Sequence, residues 1–406
     1  MANQSSVLNY NVTLKIKDQE YTRDLQKVRI VSNIASPYQV VAIDILLDQN
    51  DVILNSIYGK EPIKLQIDMI DLNEGIPIEH IDMELMYLEA KSSATIKPSL
   101  SDEKTFEKTM FNLLTVPRQP FKAMTKIINN LYIGKTPTQI VTDLVSEAGC
   151  QLFMDKEDKN LDVIDQVLIP NLTLYKAIQY LDDNFGLYNG ASNLGFCQYD
   201  NKFYVMNLSK RLNKSQVYTI YHLSTDAEDT TKIIQKVVDG KNFYTYGELK
   251  SDYTGNSVFA TFAKLSHIIL KPDNDLFKST DFDLKKICAD YGATFKTTEV
   301  DFDPSLNDRE TYVIGDSGYG EGSVSASWIS RRIMGLASLS FDIGKNIPIL
   351  NLINVGEPVK LITKTAEYVS LSGKYLLKSS DINLDKVAAG FIATCGVTLM
   401  RTNKTI

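Results

Sequence analysis

Apolar and polar residues alternate at both ends of this chain. Near the N-terminus Val12, Leu14 and Ile16 alternate with Thr13, Lys15 and Lys17. Ile63, Leu65, Ile67 and Met69 alternate with Lys64, Gln66 and Asp68, and Ile81, Met83, Leu85 and Tyr87 with Asp82, Glu84 and Met86. At the other end Phe391, Ala393, Cys395, Val397 and Leu399 alternate with Ile392, Thr394, Thr398 and Met400, after a strand-like Lys374 to Ser379 that starts at the Ser372-Gly373 turn. A period of two places each apolar set on one face of an extended strand. Several such strands with polar turns between them predict a small antiparallel barrel or sandwich.

The two ends also share a short phrase. Glu61-Pro62-Ile63-Lys64-Leu65 returns as Glu357-Pro358-Val359-Lys360-Leu361, each with a glycine just upstream (Gly59, Gly356) and a β stretch running on. Proline at the first position of a strand costs no ladder bond. The reading is duplication, two related β-barrels near the two ends with α/β material inserted between them.

That inserted part has a different period. Thr136-Pro137-Thr138-Gln139 is a helix start, with Thr136 as cap, proline at the first helical position and Gln139 placed to reach back. Ile140, Val141, Leu144, Val145 and Ala148 form the apolar stripe, and Gly149 the stop. A second helix is predicted after Pro170, with Leu174, Ala177, Ile178, Leu181 and Phe185 on one face and Gly186 at its end. A hairpin follows, Phe196 to Tyr199 and Lys202 to Leu208 around Asp200-Asn201. From Val217 the chain returns to strands, including Val237-Val238 and Phe243 to Tyr246. Short helices are predicted at 281–291 (Leu284, Ile287, Cys288, Tyr291) and at about 323–337 (Ala326, Ile329, Ile333, Leu336).

Composition excludes several classes. The 406 residues are 44% hydrophobic and 23% charged, ordinary for a globular chain of several domains. With 43 Lys and Arg against 50 Asp and Glu, the net charge of −7 lacks the basic excess of a free-standing DNA reader. Cys150, Cys197, Cys288 and Cys395 form no CxxC pair, so neither a disulfide framework nor a zinc ribbon is expected, and folding in a reducing cytosol is. MANQSSVLNY is not a signal peptide, and no stretch approaches the ~18 apolar residues of a membrane span. Three histidines (His80, His222, His267) are few for metal or acid–base chemistry.

Motifs that could carry chemistry lack their context. Gly315-Asp316-Ser317-Gly318 is similar to the nucleophile segment of chymotrypsin-like proteases, but Tyr319-Gly320 follows and no histidine sits in a matching context. Gly315, Gly318, Gly320 and Gly322 lie between a strand and a helix, yet no Gly-Lys-Ser/Thr follows and GxGxxG is not met; the reading is a loop, mobile or ordered by a partner. Asp301, Asp303, Ser305 and Asn307 imitate a calcium loop but put Leu306 where glycine belongs and Tyr312 where glutamate belongs. Asp182, Asp183 and Glu147 fall near helix C-termini, and read as solvated helix surface rather than as a glycosidase pair. Arg331-Arg332 reads as solvent-facing. No catalytic, cofactor-binding or metal-ligating residue is assigned.

Taken together, the capped helix TPTQIVTDLVSEAG, the segment IPNLTLYKAIQYLDDNFGLYNG…GFCQYDNKFYVMNL and the closing NVGEPVKLI, SGKYLLKSSDI and GFIATCGVTLMR resemble the baseplate hub, or tail hub, proteins of contractile-tailed bacteriophages, with relatives in bacterial contractile injection systems. The resemblance lies in the order of elements and is vague between about 247 and 322. It implies an α+β, mainly β fold with two tube-like antiparallel β-barrels, an inserted α/β module and a further irregular, helical insertion. The corresponding segments are 1–116 (first barrel), 117–215 (α/β module), 216–270 and 323–406 (second barrel, two parts) and 271–322 (insertion with a short helix and the Gly-rich loop). It further implies a virion structural protein without catalytic residues. Such a protein would be made in the host cytoplasm and located in the tail baseplate. Its copies would form a homotrimer whose six barrels match a hexameric tail tube, or a tube-initiator protein, to a trimeric central spike. Other baseplate proteins would contact it, and DNA would pass its channel without specific binding. Because the sequence stops at Ile406, soon after the second barrel, the expectation is a minimal hub with its piercing element on another polypeptide. Two other classes remain open: a cell-wall glycan hydrolase, which needs a cleft with paired carboxylates, and a carbohydrate-binding module, which needs exposed aromatic platforms although the chain has one tryptophan, Trp328.

Overall fold

The computed structural model describes residues 8–17, 19–48, 61–71, 77–96, 108–157, 159–188, 196–223, 240–246, 248–253, 262–269, 294–299, 309–315, 337–344, 348–363, 368–388 and 390–401. The N-terminal strands are β1 (Leu8–Ile16), β2 (Gln19–Glu20), β3 (Leu25–Asn33), β4 (Val40–Asp48), β5 (Ile63–Asp71), β6 (Pro77–Ile96) and β7 (Lys108–Pro117). The middle holds α1 (Arg118–Thr125), β8 (Ile127–Lys135), α2 (Pro137–Glu147), β9 (Gln151–Met154), β10 (Ile164–Thr173), α3 (Leu174–Phe185), β11 (Phe196–Cys197), β12 (Lys202–Val205) and the single turn α4 (Leu208–Arg211). Strands then return as β13 (Tyr218–His222), β14 (Asn242–Thr245), β15 (Lys250–Tyr253), β16 (Phe262–Ile269), β17 (Thr294–Glu299), β18 (Arg309–Gly315), β19 (Ala337–Ile343), β20 (Pro358–Thr363), β21 (Gly373–Val387) and β22 (Gly390–Arg401). The fold is mainly β with a smaller α/β part.

Hydrogen bonds close one ring through β21-β3-β4-β7-β6-β5-β1-β22, since β22 also pairs with β21. Every pairing in it is antiparallel. The alternating residues fill its interior: Val12, Leu14, Ile16, Ile63, Leu65, Ile67, Met69, Ile81, Met83 and Leu85 are all buried. A closed ring leaves no edge strand exposed to aberrant pairing.

A second ring runs β13-β20-β21-β22-β19. β14 lies parallel to β13, and reaches the far end of the sheet where the Gly344 N–H donates to the Tyr244 carbonyl at 2.7 Å and the Thr245 hydroxyl to the Asp342 carbonyl at 2.6 Å. β15 continues along the same edge of β19, with Lys250 opposite Ser340. β14 and β15 therefore act as one interrupted strand.

Counted this way, the two rings share a strand order. The first reads β3-β4-β7-β6-β5-β1 and the second β15-β19-β22-β21-β20-β13, which in each case is second, third, sixth, fifth, fourth, first along the chain. Strand directions agree except at the first strand: β1 is antiparallel to β5, whereas β13 is parallel to β20. The repeated Glu-Pro-Ile/Val-Lys-Leu phrase leads into the fourth strand of both. There Ile63 and Leu65, like Val359 and Leu361, point inward, and Lys64 and Lys360 outward.

The hairpin β21–β22 belongs to both rings. Leu376 pairs with Pro358 of β20, whereas from Ser379 onward β21 pairs with β3. The register shifts between Leu377 and Ser379, and the Lys378 carbonyl there accepts the Ile34 N–H at 3.1 Å. A bulge bends its strand and raises the local twist, which suits a strand leaving one barrel for the next.

The middle part has its own core, in which Ile140, Val141, Leu144 and Val145 of α2 meet Ala177, Ile178 and Leu181 of α3 over Tyr132, Val167 and Phe203. Helix α2 starts as expected, with the Thr136 hydroxyl accepting the Gln139 N–H and the Gln139 side chain accepting the Thr136 N–H. Helix α3 follows Pro170 as expected. Pro170 lies within β10, beside a register shift and Asn171 at φ +44°, and Thr173 is the cap. A bulge tolerates a proline because no ladder bond is lost there. The hairpin forms, but from Leu208 the chain turns helical.

β16, β17 and β18 form a separate sheet in the order β17-β16-β18. The helices expected at 281–291 and 323–337 fall outside the described residues, apart from Ala337, which already belongs to β19. Val237-Val238, the 301–307 acidic run, residues 316–322, Trp328 and Arg331-Arg332 also lie outside them.

Candidate functional site

The residues that the fold gathers most densely are those that join barrel to barrel and module to barrel. Segment 348–356, between β19 and β20, closes one end of the first ring. Ile349, Leu350, Leu352 and Ile353 are buried in the shared core. Its backbone is anchored by polar groups from three directions. The Ile349 N–H donates to the Tyr10 hydroxyl at 3.3 Å, the Leu350 N–H to Glu79 Oε2 at 3.1 Å, and the Tyr218 hydroxyl to the Asn351 carbonyl at 2.9 Å. Gln39 is buried beside them: its Nε2 donates to Ser32 Oγ at 3.1 Å and to the Ile353 carbonyl at 3.4 Å, while its Oε1 accepts the Tyr199 N–H at 3.0 Å. One side chain thus ties the first barrel, the plug and the module's hairpin.

A second fastening is ionic. Asp155, after β9, accepts from Arg211 Nε at 2.8 Å, Lys214 Nζ at 2.9 Å and the Asn207 N–H at 3.0 Å. Arg211 Nη1 reaches Glu357 Oε1 at 3.2 Å, in the second copy of the repeated phrase. Burial works to raise the Asp155 pKa, but the hydrogen bonds and charge of Arg211, with Lys214 and the Asn207 N–H, more than offset it, so the carboxyl is held below its usual range. Next to Glu357, Gly356 has φ +82°, and a Cβ there would collide with the Met206 sulfur; only glycine permits this approach.

The outer face runs across β3, β21, β22 and β19, which are neighbours in the sheet. A shallow groove of about 600 Å³ crosses it where β21 passes between rings, lined by Asn33, Lys250, Asp342, Ser379, Asp381 and Thr398 among others. Two cations on this face are paired, Arg29 with Asp381 at 2.6 Å and Lys27 with Asp385 at 3.2 Å. In the module, the two-stranded β8–β10 ribbon turns Ile127, Leu131, Ile133 and Leu168 outward, each more than half exposed. Contiguous exposed apolar surface of this kind marks a contact site for a protein, a membrane or a ligand.

The carboxylates noted near helix ends serve the backbone and local ion pairs. Asp182 is buried and accepts the Leu187 N–H at 3.0 Å, one residue past the Gly186 cap of α3. Glu147 is exposed and pairs with Lys126 at 3.1 Å and Asn130 at 3.0 Å. Among the described residues no cluster of His, Cys, Asp and Glu could hold a metal, and the exposed aromatics Phe153 and Tyr246 lie on different parts of the fold and form no row. Among the described residues no helix is long and apolar enough to cross a membrane. Glu79 and Asp155 were not singled out by sequence. The signal for Glu79 was present: it continues the inward register of Ile81, Met83 and Leu85, so a charge falls on a core position.

No family model and no curated protein matches the sequence. The fold does have relatives of known structure. A tail protein from Neisseria meningitidis MC58 superimposes with a TM-score of 0.58 at 13% identity, over 97% of this chain and 96% of that one. The 43 kDa tail protein of prophage MuSo2 from Shewanella oneidensis gives 0.54 at 12% identity, over 96% and 98%. A chain of the half-lidded Francisella PdpA–VgrG complex gives 0.50 at 11% identity, covering 99% of this chain but 59% of that one. The chain therefore shares the fold of these tail proteins.

Proposed function

We propose that this chain is a structural hub of a phage-type tail, three copies of which form a ring joining a hexameric tail tube to a trimeric central spike. One observation carries the reading: a single chain holds two barrels with the same strand order, fused through a shared hairpin. Threefold symmetry then presents six similar lobes, which a sixfold tube can dock on one side while a threefold spike engages the other. The tail-protein fold of the neighbours supports this, as do the fastenings at Gln39 and Asp155, which hold the module in a fixed pose on the barrels.

On this reading the protein resides in the tail baseplate, is made in the host bacterial cytoplasm, and contacts the spike, the tube or tube initiator and other baseplate proteins. DNA traverses the ring without specific binding. The net charge of −7 per chain suits such a wall, because a polyanion is gripped mainly through free Lys and Arg. The role is architectural and requires no catalytic group.

The test is the mass of the full-length protein by sedimentation equilibrium, followed by negative-stain imaging. Three chain masses and six-lobed rings are expected. A monodisperse monomer at high protein concentration overturns the proposal.

A further inference from the structure

Glu79 is a charged residue at a core position. It sits opposite Met69 of β5, which is fully buried, at the end of the first barrel's interior. Its Oε2 accepts the Leu350 N–H at 3.1 Å, but its Oε1 is buried without a hydrogen-bond partner. On the far side stands Gly240, at φ +63°, where a Cβ would come within 3.3 Å of Oε1 and 2.5 Å of Asn351 Nδ2. Asn351 Nδ2 donates to the Gly240 carbonyl at 3.2 Å. The carboxyl is therefore enclosed by β6, by the 349–353 plug and by the start of β14's approach.

We propose that this contact is a proton-controlled latch between the barrels, closed when Glu79 is protonated and loosened when it is ionised. A neutral carboxylic acid needs no counter-charge and has an O–H to offer, so it fits a site holding backbone donors but no cation. A carboxylate in the same place keeps its charge with one oxygen unsolvated, which is costly. The groups that face it are few. Tyr10 of β1 and Tyr218 of β13 are themselves pushed to higher pKa by burial first and by Glu79's charge among the lesser causes, so both stay neutral across the physiological range. The backbone N–H groups of Leu350 and Asn351 complete the set, and no lysine, arginine or histidine among the described residues supplies a compensating charge.

Burial raises the Glu79 pKa from 4.5 to about 7, with the Leu350 and Asn351 N–H groups pulling the other way without offsetting it. The sign follows from linkage. A group whose folded pKa lies above its unfolded value gives stability that is full below 4.5 and is lost as pH rises toward about 7, after which the loss levels off. At tenfold per pH unit over that interval, the opening equilibrium shifts by up to a few hundred-fold. The latch lies within one chain and holds whatever the chain assembles with.

The experiment is hydrogen exchange on the full-length protein between pH 5 and 8, corrected for intrinsic exchange, comparing wild type with Glu79→Gln. The expected result is that protection of the Ile349, Leu350 and Asn351 amides falls with rising pH in wild type, by up to about a hundred-fold over this window, and stays flat in the neutral variant. Parallel profiles in the two proteins overturn the proposal. Should Glu79→Gln fail to fold, a carbon-13 titration of the labelled glutamate carboxyls in wild type decides. A buried carboxyl with a midpoint near 7 supports the latch, and midpoints all near 4.5 exclude it.

Discussion

Asp155 receives three donors at once, and the Nη1 of its partner Arg211 donates to Glu357 and the Gly356 carbonyl. Both side chains are largely buried, 6% and 14% exposed, so removing either leaves a desolvated charge behind. Breaking such a pair destabilises by about 3–5 kcal/mol. Because Arg211 keeps Glu357, Asp155→Ala is expected near the lower end, read as a lower urea midpoint with unchanged slope. The same residue sets an acid limit. Its folded pKa lies below 3.8, so its contribution is present above that value and is lost as pH falls through the lowered one. The gap between wild type and variant should accordingly narrow below about pH 4 when the titration is followed by circular dichroism. Neither role was legible in the sequence. Asp155 lies 56 positions from Arg211, and Arg211 lies 146 from Glu357, in segments with no common period to connect them.

At the scale of elements, what depends on neighbours in sequence was readable and what depends on distant pairing was not. Helix α2 emerged with its cap, first-turn proline and reciprocal Gln139 contact, because those groups lie within four residues of one another. Thr136→Ala removes the acceptor for the Gln139 N–H, and a loss of about 1 kcal/mol is expected in thermal unfolding, with Thr136→Ser restoring most of it. The alternating strands were equally clear, since burial on one face is written directly in the period. Helix α3 likewise follows Pro170 with its apolar stripe and Gly186 stop, but that Pro170 itself sits beside a bulge of β10 shows only in the pairing with β8. The parallel placement of β13 between β14 and β20 left no mark at all. A five-residue strand has the same alternation in either direction, so which way it runs depends on what it pairs with.

At the scale of the molecule, the shared hairpin decides how the two barrels respond to damage. β21 and β22 supply two staves of the first ring and two of the second, and the apolar core is continuous from Leu14 to Leu399. Barrels linked by a flexible tether would unfold separately, each with its own transition. Here opening the first ring frees the 379–387 stretch of β21, and with it the partner against which β22 is registered. Leu14→Ala empties a fully buried site in the first barrel and should cost about 2–5 kcal/mol. If the hairpin couples the rings, the amides of β13 and β20, which lie only in the second barrel, lose hydrogen-exchange protection by the same factor as those of β5. Unchanged protection in β13 and β20 would mean that the rings melt independently, and that the bulge at Lys378 is a hinge between two units rather than a bend within one. Coupling is what the proposed ring subunit requires, because load applied to one lobe would then reach its neighbour through the shared strands and the 348–356 segment packed against both.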